Sequence, residues 1–334
     1  MPRPGPCRSS TPVPGAVRQL RLAVLLAIVA GPIGGLACAG AAARSTSQPV
    51  RVADAAPGAS FAAPSLSQLR RAASVIPGDA PTAIHVVAFN PFQFPIASMV
   101  EGGGAGLAEA ANPVFQIRFP RGWIAVDAAM DRALAPDSKT FSDEQYASIQ
   151  AMLRDARLIV VTHEHDDHAA GVIRSPFLAT VQDHTLLTRA QVHSLMTAPN
   201  DPRIKLDSAA ASRYLVLDYD PILPIARGVV LVKAPGHTPG SQMVYVRLAS
   251  GGEVVLAGDV AWHSSGIETQ RQKPDSIARR LGVIEDRAPI AAELRWLKEL
   301  MAAGVTVVVA HDQAMIDALI DRGVLKQGFD VDGR

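Results

Sequence analysis

Residues 163–168 place three histidines and three acidic residues in six consecutive positions. In order they are His163, Glu164, His165, Asp166, Asp167 and His168. Imidazole and carboxylate groups are the ligands that zinc and related divalent ions take in proteins. A solvated loop with chance histidines is the alternative, but nine histidines in 334 residues would rarely place three so close together. The segment therefore predicts a metal site.

The apolar run at residues 158–161 comes directly before this cluster and predicts a buried strand. The cluster then lies where the strand ends and a loop begins. Strand alternation would place His163 and His165 on one face and Glu164 on the other. We therefore expect Glu164 and Asp166 to point away from the metal ligands, into solvent or toward neighbouring polar groups.

Three later strands end in the same way. The runs at 229–232, 254–257 and 305–310 lead to His237, Asp259 and His311 respectively. Strand ends are where α/β folds present functional side chains on a rigid scaffold. Four such ends, each offering a metal-ligand side chain, predict one shared metal centre.

The order and spacing of these residues resemble the metallo-β-lactamase-fold hydrolases. His163, His165, Asp167 and His168 match the superfamily's main motif, His-x-His-x-Asp-His. Residues 236–241 resemble its second metal segment, Gly258-Asp259 its bridging carboxylate and His311 its last histidine. Asp127, after the predicted strand 123–126, resembles its early structural aspartate. The resemblance extends from about residue 84 to the C-terminus, with Ala170-Gly171 where the family often has Gly-Gly.

The resemblance implies two divalent ions, with zinc as the first choice and manganese, cobalt or ferrous iron as alternatives. His163, His165 and His237 would hold one ion. Asp167, His168 and His311 would hold the other, and Asp259 would bridge both. A metal-bound hydroxide would then attack a carbonyl, with Asp167 or Asp259 relaying a proton as catalytic residues. Asp127 would either hydrogen-bond a ligand histidine or take a direct part.

Within the superfamily the chain looks nearest to the N-acyl homoserine lactone lactonases. Asp259 argues against true β-lactamases, and the short segment after His311 argues against glyoxalase II-type thioesterases. Many of those lactonases have a tyrosine three residues after the bridging aspartate. Here that residue is Trp262, whose indole donates a hydrogen bond but cannot act as an acid. Trp262 and His263 are expected to line a substrate pocket or contact the ligands.

This resemblance implies a hydrolase that opens a lactone or ester carbonyl. The alternatives are a phosphodiesterase or thioesterase of the same fold, or a mono-iron persulfide dioxygenase. A non-catalytic binding module is disfavoured because all seven ligand positions are filled. A structural zinc site is disfavoured because such sites are closed and often rich in cysteine.

The secondary-structure pattern favours an α/β fold of sheets covered by helices. Residues 114–119 and 123–126 predict a hairpin, and the capping pattern at 142–145 predicts a helix to about 156. Further helices are predicted at 184–196, 291–301 and 313–320, and strands at 84–89, 214–217, 229–232, 243–248, 253–256 and 305–309. The resemblance specifies a four-layer αββα sandwich in a single domain at residues 81–334.

The N-terminal segment differs in kind from the rest. It has four arginines before residue 22, no acidic residue before Asp54, and an apolar run at 22–30 followed by small residues. This pattern predicts a signal peptide at 1–43 and a periplasmic or extracellular protein. A retained membrane anchor, or lipidation at Cys38, is the alternative. Residues 44–80 are predicted to be a leader and linker with one short helix at 65–73.

The net charge of +1 and the 19% content of charged residues give no electrostatic case for a nucleic-acid partner. The predicted partner is a small-molecule substrate, and any membrane contact would be through the N-terminus. The sequence does not determine an oligomeric state.

Overall fold

The computed structural model describes residues 60–135, 137–283 and 285–331. The predicted signal peptide and Cys38 lie outside these residues. The strands within them are β1 (Ala83–Pro95), β2 (Leu107–Arg118), β3 (Trp123–Val126), β4 (Leu158–Val160), β5 (Thr185–Thr188), β6 (Leu215–Leu217), β7 (Ile222–Ala226), β8 (Val229–Lys233), β9 (Gln242–Arg247), β10 (Glu253–Leu256), β11 (Thr306–Val308) and β12 (Lys326–Gln327).

The α-helices of the described residues are α1 (Leu66–Val75), α2 (Ile96–Met99), α3 (Asp143–Arg154), α4 (Asp166–Ile173), α5 (Leu178–Val181), α6 (Arg189–Thr197), α7 (Ser208–Ala211), α8 (Ser264–Thr269), α9 (Asp275–Arg280), α10 (Arg287–Ala302) and α11 (Gln313–Asp321). None of them combines the length and the apolar character that a membrane span needs.

The strands form two sheets. The first has the order β12-β1-β2-β3-β4-β5-β6, and the second has the order β11-β10-β9-β8-β7. Strands β3 to β6 run parallel to one another, whereas β1, β2 and β3 are antiparallel, as the predicted hairpin requires. In the second sheet only β10 and β11 are parallel.

Alternating side chains bury both faces of each sheet. Val229 and Leu231 of β8 pack with Ile117 and Ile124 of the first sheet, so the two sheets meet face to face. Val230 and Val232 point the other way and pack against helices α1 and α10. The outer face of the first sheet packs against α3 and α4 in a third core. Four layers, helix, sheet, sheet and helix, result, which confirms the predicted αββα sandwich.

Helix α1 belongs to this folded body. Ser65 caps it through a reciprocal capping box with Gln68, and Leu69 and Ala73 are buried against the second sheet. The predicted short helix is confirmed. Part of the segment assigned to a linker therefore packs on the sandwich, because apolar positions spaced four apart give this helix a buried face.

The helix predicted at 184–196 was wrong over its first five residues. Residues 185–188 form the parallel strand β5, and the helix begins only at Arg189, where Thr188 and Gln191 make a capping box. Strand β7 was not predicted at all. The helices predicted at 142–156, 291–301 and 313–320 are confirmed as α3, α10 and α11.

Candidate metal centre

The predicted ligands come together at one edge of the sandwich, where four strands end. His163 and His165 follow β4, and α4 begins immediately after them and carries Asp167 and His168. The second sheet contributes the other three residues: His237 follows β8, Asp259 follows β10, and His311 follows β11. Their ligand atoms form three overlapping groups, which are His163 with His165 and His237, His163 with Asp167 and His168, and His168 with Asp259 and His311. We describe them below as two clusters joined by Asp259.

The first cluster consists of His163, His165 and His237. Nε2 of His163 lies 2.9 Å from Nδ1 of His165, and Nε2 of His237 lies 3.2 Å and 3.1 Å from these two atoms. Burial lowers the pKa of His163, and it lowers the pKa of His165 to about 3. Both rings are therefore neutral at pH 7, and three imidazole nitrogens face one point as metal ligands do.

The second cluster consists of Asp167, His168 and His311. Oδ2 of Asp167 lies 3.4 Å from Nε2 of His168 and 3.5 Å from Nε2 of His311. Burial lowers the pKa of both histidines, but the surrounding carboxylates outweigh it and raise each pKa. This cluster therefore favours the presence of positive charge.

Asp259 lies between the two clusters. Its Oδ1 is 3.2 Å from Nε2 of His168 and 3.3 Å from Nε2 of His311. Its Oδ2 is 3.5 Å from Nε2 of His237 and 3.8 Å from Nε2 of His163. Burial raises the pKa of Asp259, yet the neighbouring histidines hold it well below its usual range. One carboxylate oxygen thus faces each cluster, which is the geometry of a bridging ligand.

Two buried atoms of this centre have no hydrogen-bond partner among the described residues. They are Nε2 of His168 and Oδ1 of Asp259, which lie 3.2 Å apart without hydrogen-bond geometry. Buried polar atoms without partners are costly and rare in folded proteins. Both are metal-ligand atoms, and both face the space between the clusters, so the residues present fit a pair of divalent cations.

Asp127 orients His168. Its Oδ2 accepts a hydrogen bond from Nδ1 of His168 (2.9 Å), and its two oxygens also accept from Oγ1 and N of Thr162 (2.9 and 2.7 Å). Because Nδ1 of His168 is engaged by Asp127, Nε2 is the ring nitrogen left to bind a cation at the centre. Of the two roles considered for Asp127, the structure places it at the hydrogen bond to a ligand histidine.

A glycine allows this contact. A Cβ on Gly171 of α4 would lie 1.9 Å from the carbonyl oxygen of Ala128, and the amide of Gly171 donates to the carbonyl of Ala129. The amide of Ala128 in turn donates to the carbonyl of His168. The helix therefore packs directly on the loop that carries Asp127, and this close approach requires glycine at position 171.

The other two histidines with fixed tautomers are held by groups that the sequence did not reveal. Nδ1 of His311 donates to the carbonyl of Ala111 (2.8 Å), and Nδ1 of His237 donates to Oε1 of Glu285 (2.6 Å). Nζ of Lys273 donates to the same Glu285 oxygen (2.7 Å) and to the Asp259 carbonyl (2.6 Å). Lys273 and Glu285 lie far along the chain from any histidine motif, so no sequence signal marks them.

Glu164 is buried, Asp166 is partly exposed, and both bond to neighbouring polar groups, as expected. Glu164 is 4% exposed and accepts a hydrogen bond from Thr238 (2.9 Å), and burial raises its pKa. As strand alternation predicted, Glu164 points away from the ligand histidines. The loop that carries His237 covers it on that side. Asp166 pairs with the side-chain amide of Asn200, and burial, with the charge of Asp167, raises its pKa to about 6.

A cavity of about 270 Å³ opens beside the two clusters. Trp262 lines it, and its Nε1 donates a hydrogen bond to Oδ2 of Asp259 (2.7 Å). His263 does not belong to the lining: it caps α8 by accepting from the amide of Ser265. The structure thus places His263 at the start of α8, with its Nε2 3.8 Å from Oδ2 of Asp312.

No protein-family model matches the sequence, and no curated protein matches it significantly. Solved structures do match the fold. A quorum-quenching N-acyl homoserine lactone lactonase is 16% identical with a TM-score of 0.56, covering 72% of this chain and 97% of its own. The dizinc quorum-quenching lactonase AidC is 13% identical with a TM-score of 0.54 (70% and 90%). A probable metal-dependent hydrolase from Staphylococcus aureus is 14% identical with a TM-score of 0.51 (71% and 91%).

These matches extend over nearly the whole of each solved chain. They show that this chain has the metallo-β-lactamase fold, which the histidine motif and the strand-end ligands had predicted.

Proposed function

We propose that this chain is a dinuclear metal-dependent hydrolase that opens a lactone or ester carbonyl. The observation that carries the proposal is the position of Asp259, with one oxygen toward each ligand cluster. A carboxylate shared between two clusters is needed only when two cations lie close together, because an anion must screen their repulsion.

His163, His165 and His237 would hold one ion, Asp167, His168 and His311 the other, and Asp259 both. Two divalent ions there, with zinc as the first choice, would lower the pKa of water to about 7 and polarise a carbonyl oxygen. The indole N–H of Trp262 fixes the carboxylate of Asp259 in its bridging orientation.

Asp167 lines the cavity, and neighbouring histidines outweigh burial to lower its pKa to about 2. Its carboxylate is therefore ionised, and in the proposed reaction it would take the proton of the attacking water only transiently. The same carboxylate can then pass that proton to the leaving oxygen. Asp259 is less suited to this relay, because both of its oxygens face ligand histidines and one also accepts from Trp262.

The cavity supports a neutral, mainly apolar substrate. Among the described residues its lining contains no lysine or arginine that would pair with an anionic substrate. Apolar and aromatic side chains form most of the remaining wall, and two of the structural neighbours are lactonases by name. These observations support a lactone or ester.

Metal analysis with an activity panel tests the proposal. We expect about two equivalents of zinc, manganese or cobalt per chain, and metal-dependent hydrolysis of lactones or esters in preference to phosphodiesters, thioesters and a β-lactam. His165→Ala should lose at least ~100-fold in kcat/KM, whereas His193→Ala on α6 should not. One iron per chain without hydrolysis would contradict the proposal and favour persulfide oxidation.

We further propose that residues 1–43 direct export to the periplasm or beyond. The basic flank, apolar run and small residues of the sequence support this. N-terminal sequencing of the protein from a periplasmic fraction should find residues 1–43 removed. An intact N-terminus would favour an anchor, and a lipid on Cys38 would favour a lipoprotein.

A further inference from the structure

A second cavity lies at the opposite end of the strands from the metal centre. It has a volume of about 490 Å³ and is lined by the segment after α1, the β2–β3 turn, the segment between α3 and β4, and the β7–β8 turn. Leu158, which lines it, begins β4, whereas His163 and His165 follow the end of that strand. At about 3.3 Å per residue, this cavity is therefore roughly 15 Å from the ligand clusters.

Three arginines from separate parts of the chain line this second cavity. Arg121 belongs to the β2–β3 turn, Arg157 precedes β4, and Arg227 lies in the β7–β8 turn, where its guanidinium donates to the carbonyl of Ser74 (3.4 Å). Among the described residues of the lining, Asp79 is the only acidic one. Three guanidinium groups against one carboxylate leave the positive charge of the lining unbalanced.

None of these three arginines forms an ion pair with a carboxylate of the described residues. Exposed arginines elsewhere do so: Arg132 pairs with an aspartate at 2.8 Å and Arg189 with another at 2.7 Å. Arginine is the side chain best suited to bind a carboxylate or phosphate through paired N–H groups. Three arginines that converge on one cavity without such partners indicate a site for an anion from outside the chain.

The charges around this cavity repel one another. Partial burial lowers the pKa of Arg157, and the positive charges of Arg118 and Arg121 lower it further, whereas Asp79 raises it. Arg118 itself is paired with Asp330 and does not line the cavity. Accumulated like charge destabilises a folded protein, so an anion bound among the arginines would stabilise this one.

Arg157 is held in a defined orientation. Its guanidinium carbon lies 4.8 Å from the centre of the Phe119 ring. Gly122, with a φ of +67°, permits this position, because a Cβ there would lie 3.0 Å from Cδ and Nε of Arg157. A guanidinium that is already positioned by a ring and a turn loses less conformational freedom when it binds an oxyanion.

The rest of the lining is mainly apolar. Phe119 and Ile124 are each 3% exposed, and Leu158 and Ile225 are partly buried. An inorganic ion would leave this apolar surface without a partner. A membrane would contact apolar side chains that protrude, whereas Phe119 and Ile124 are recessed. The lining therefore suits a soluble molecule with an anionic group at one end and an apolar body.

We infer that this cavity is a binding site for a small organic anion, whose carboxylate, phosphate or sulfonate group pairs with the three arginines while its apolar part packs on Phe119 and Ile124. The described residues that line this cavity are all different from those that line the cavity of the metal centre. The inference therefore does not depend on the proposed hydrolase reaction.

Calorimetry with naphthalene-2-sulfonate and the zinc-loaded protein tests the inference. This probe has no ester or lactone bond, and a sulfonate is a weak ligand for zinc. We expect one binding site per chain, with an affinity that falls as the sodium chloride concentration rises. Arg121→Ala and Arg157→Ala should each weaken binding roughly 10- to 100-fold, the effect of losing a hydrogen bond between charged groups.

Two further variants and two further probes separate the parts of the site. Arg157→Lys keeps the charge but loses the paired N–H groups, so its affinity should lie between those of the unsubstituted protein and Arg157→Ala. Arg295→Ala is the matched control, because this exposed arginine of α10 also has no carboxylate partner among the described residues and lies outside the cavity. Inorganic sulfate and the neutral 2-naphthalenemethanol should each bind at least roughly tenfold more weakly than the sulfonate.

The inference is overturned if the sulfonate does not bind, or if Arg121→Ala and Arg157→Ala bind it as tightly as the unsubstituted protein does. Equal affinity for 2-naphthalenemethanol would also overturn it, because the arginines would then contribute nothing. Sedimentation with phosphatidylglycerol vesicles that depends on these arginines, without binding of the sulfonate, would assign them to a membrane surface instead. The arginines are exposed, so the variants should fold, and unchanged zinc binding would verify this.

Discussion

Asp127→Asn tests how the second ligand cluster is held. The carboxylate accepts three hydrogen bonds, two from Thr162 and one from Nδ1 of His168. Asp127 has a backbone φ of +62°, a left-handed conformation that asparagine tolerates better than most residues. The substitution therefore leaves the backbone in place and changes only the charge and one acceptor.

An amide cannot reproduce this pattern. With its NH2 group at the Oδ2 position, the amide would donate a hydrogen bond to Nδ1 of His168. The ring proton would then have to sit on Nε2, the atom that faces the centre. With its NH2 group at the Oδ1 position, it would oppose the backbone N–H of Thr162, which lies 2.7 Å away. Losing such a partner typically lowers metal affinity about 10- to 100-fold, or about 1.4–2.7 kcal/mol.

The assay is a zinc titration against a chromophoric chelator, which resolves two binding constants. We expect the constant for the site formed by Asp167, His168 and His311 to fall and the other to change much less. Asp218→Asn is the control, because this exposed carboxylate pairs with Arg189 at the surface, away from the metal centre. Unchanged affinity at the second site would refute the argument, and equal weakening of both sites would indicate a general loosening of the fold.

Three further substitutions have defined outcomes. Gly171→Ala should destabilise the protein by about 3 kcal/mol or more in urea unfolding, because its Cβ would overlap a neighbouring carbonyl, while Gly104→Ala, with open space around it, should be neutral. Trp262→Phe keeps the aromatic wall but removes the hydrogen bond to Asp259, so kcat/KM should fall about tenfold; an unchanged value would show that this bond does not matter. Burial raises the pKa of Glu293 from its ordinary value of 4.5 to about 8, so its contribution to stability is complete below pH 4.5 and is lost as the pH rises through about 8. Glu293→Gln should flatten that part of a plot of melting temperature against pH, and an unaltered slope would assign it to other groups.

The sequence predicted most of the ligand positions because each follows a strand. Short apolar runs before His163, Asp259 and His311 identify β4, β10 and β11, and a strand end is a fixed point on the scaffold. The spacing within 163–168 also anticipated that His163 and His165 would share a face. What alternation could not show is that the opposite face, with Glu164, is covered as well.

The remaining errors arise where local and distant interactions compete. Residues 185–188 are a short apolar run next to a helical pattern, and only pairing with β4 and β6 makes them a strand. Lys273 and Glu285 form their ion pair beneath His237 because α8, α9 and the loop before α10 bring them there. Neither residue belongs to a periodic sequence pattern or a motif, so only the tertiary structure identifies them.

Each ligand cluster draws on both sheets of the sandwich. The ligands after β4 come from the first sheet, whereas His237, Asp259 and His311 follow strands of the second. Strands β1 to β6 precede β7 to β11 in the chain, so the two sheets are largely its earlier and later halves. Bound ions would therefore act as cross-links between these halves, in a described region that contains no cysteine. In such an arrangement metal binding and the docking of the two halves are linked. Ions that bind the docked state would stabilise it, and separation of the halves would release the ions.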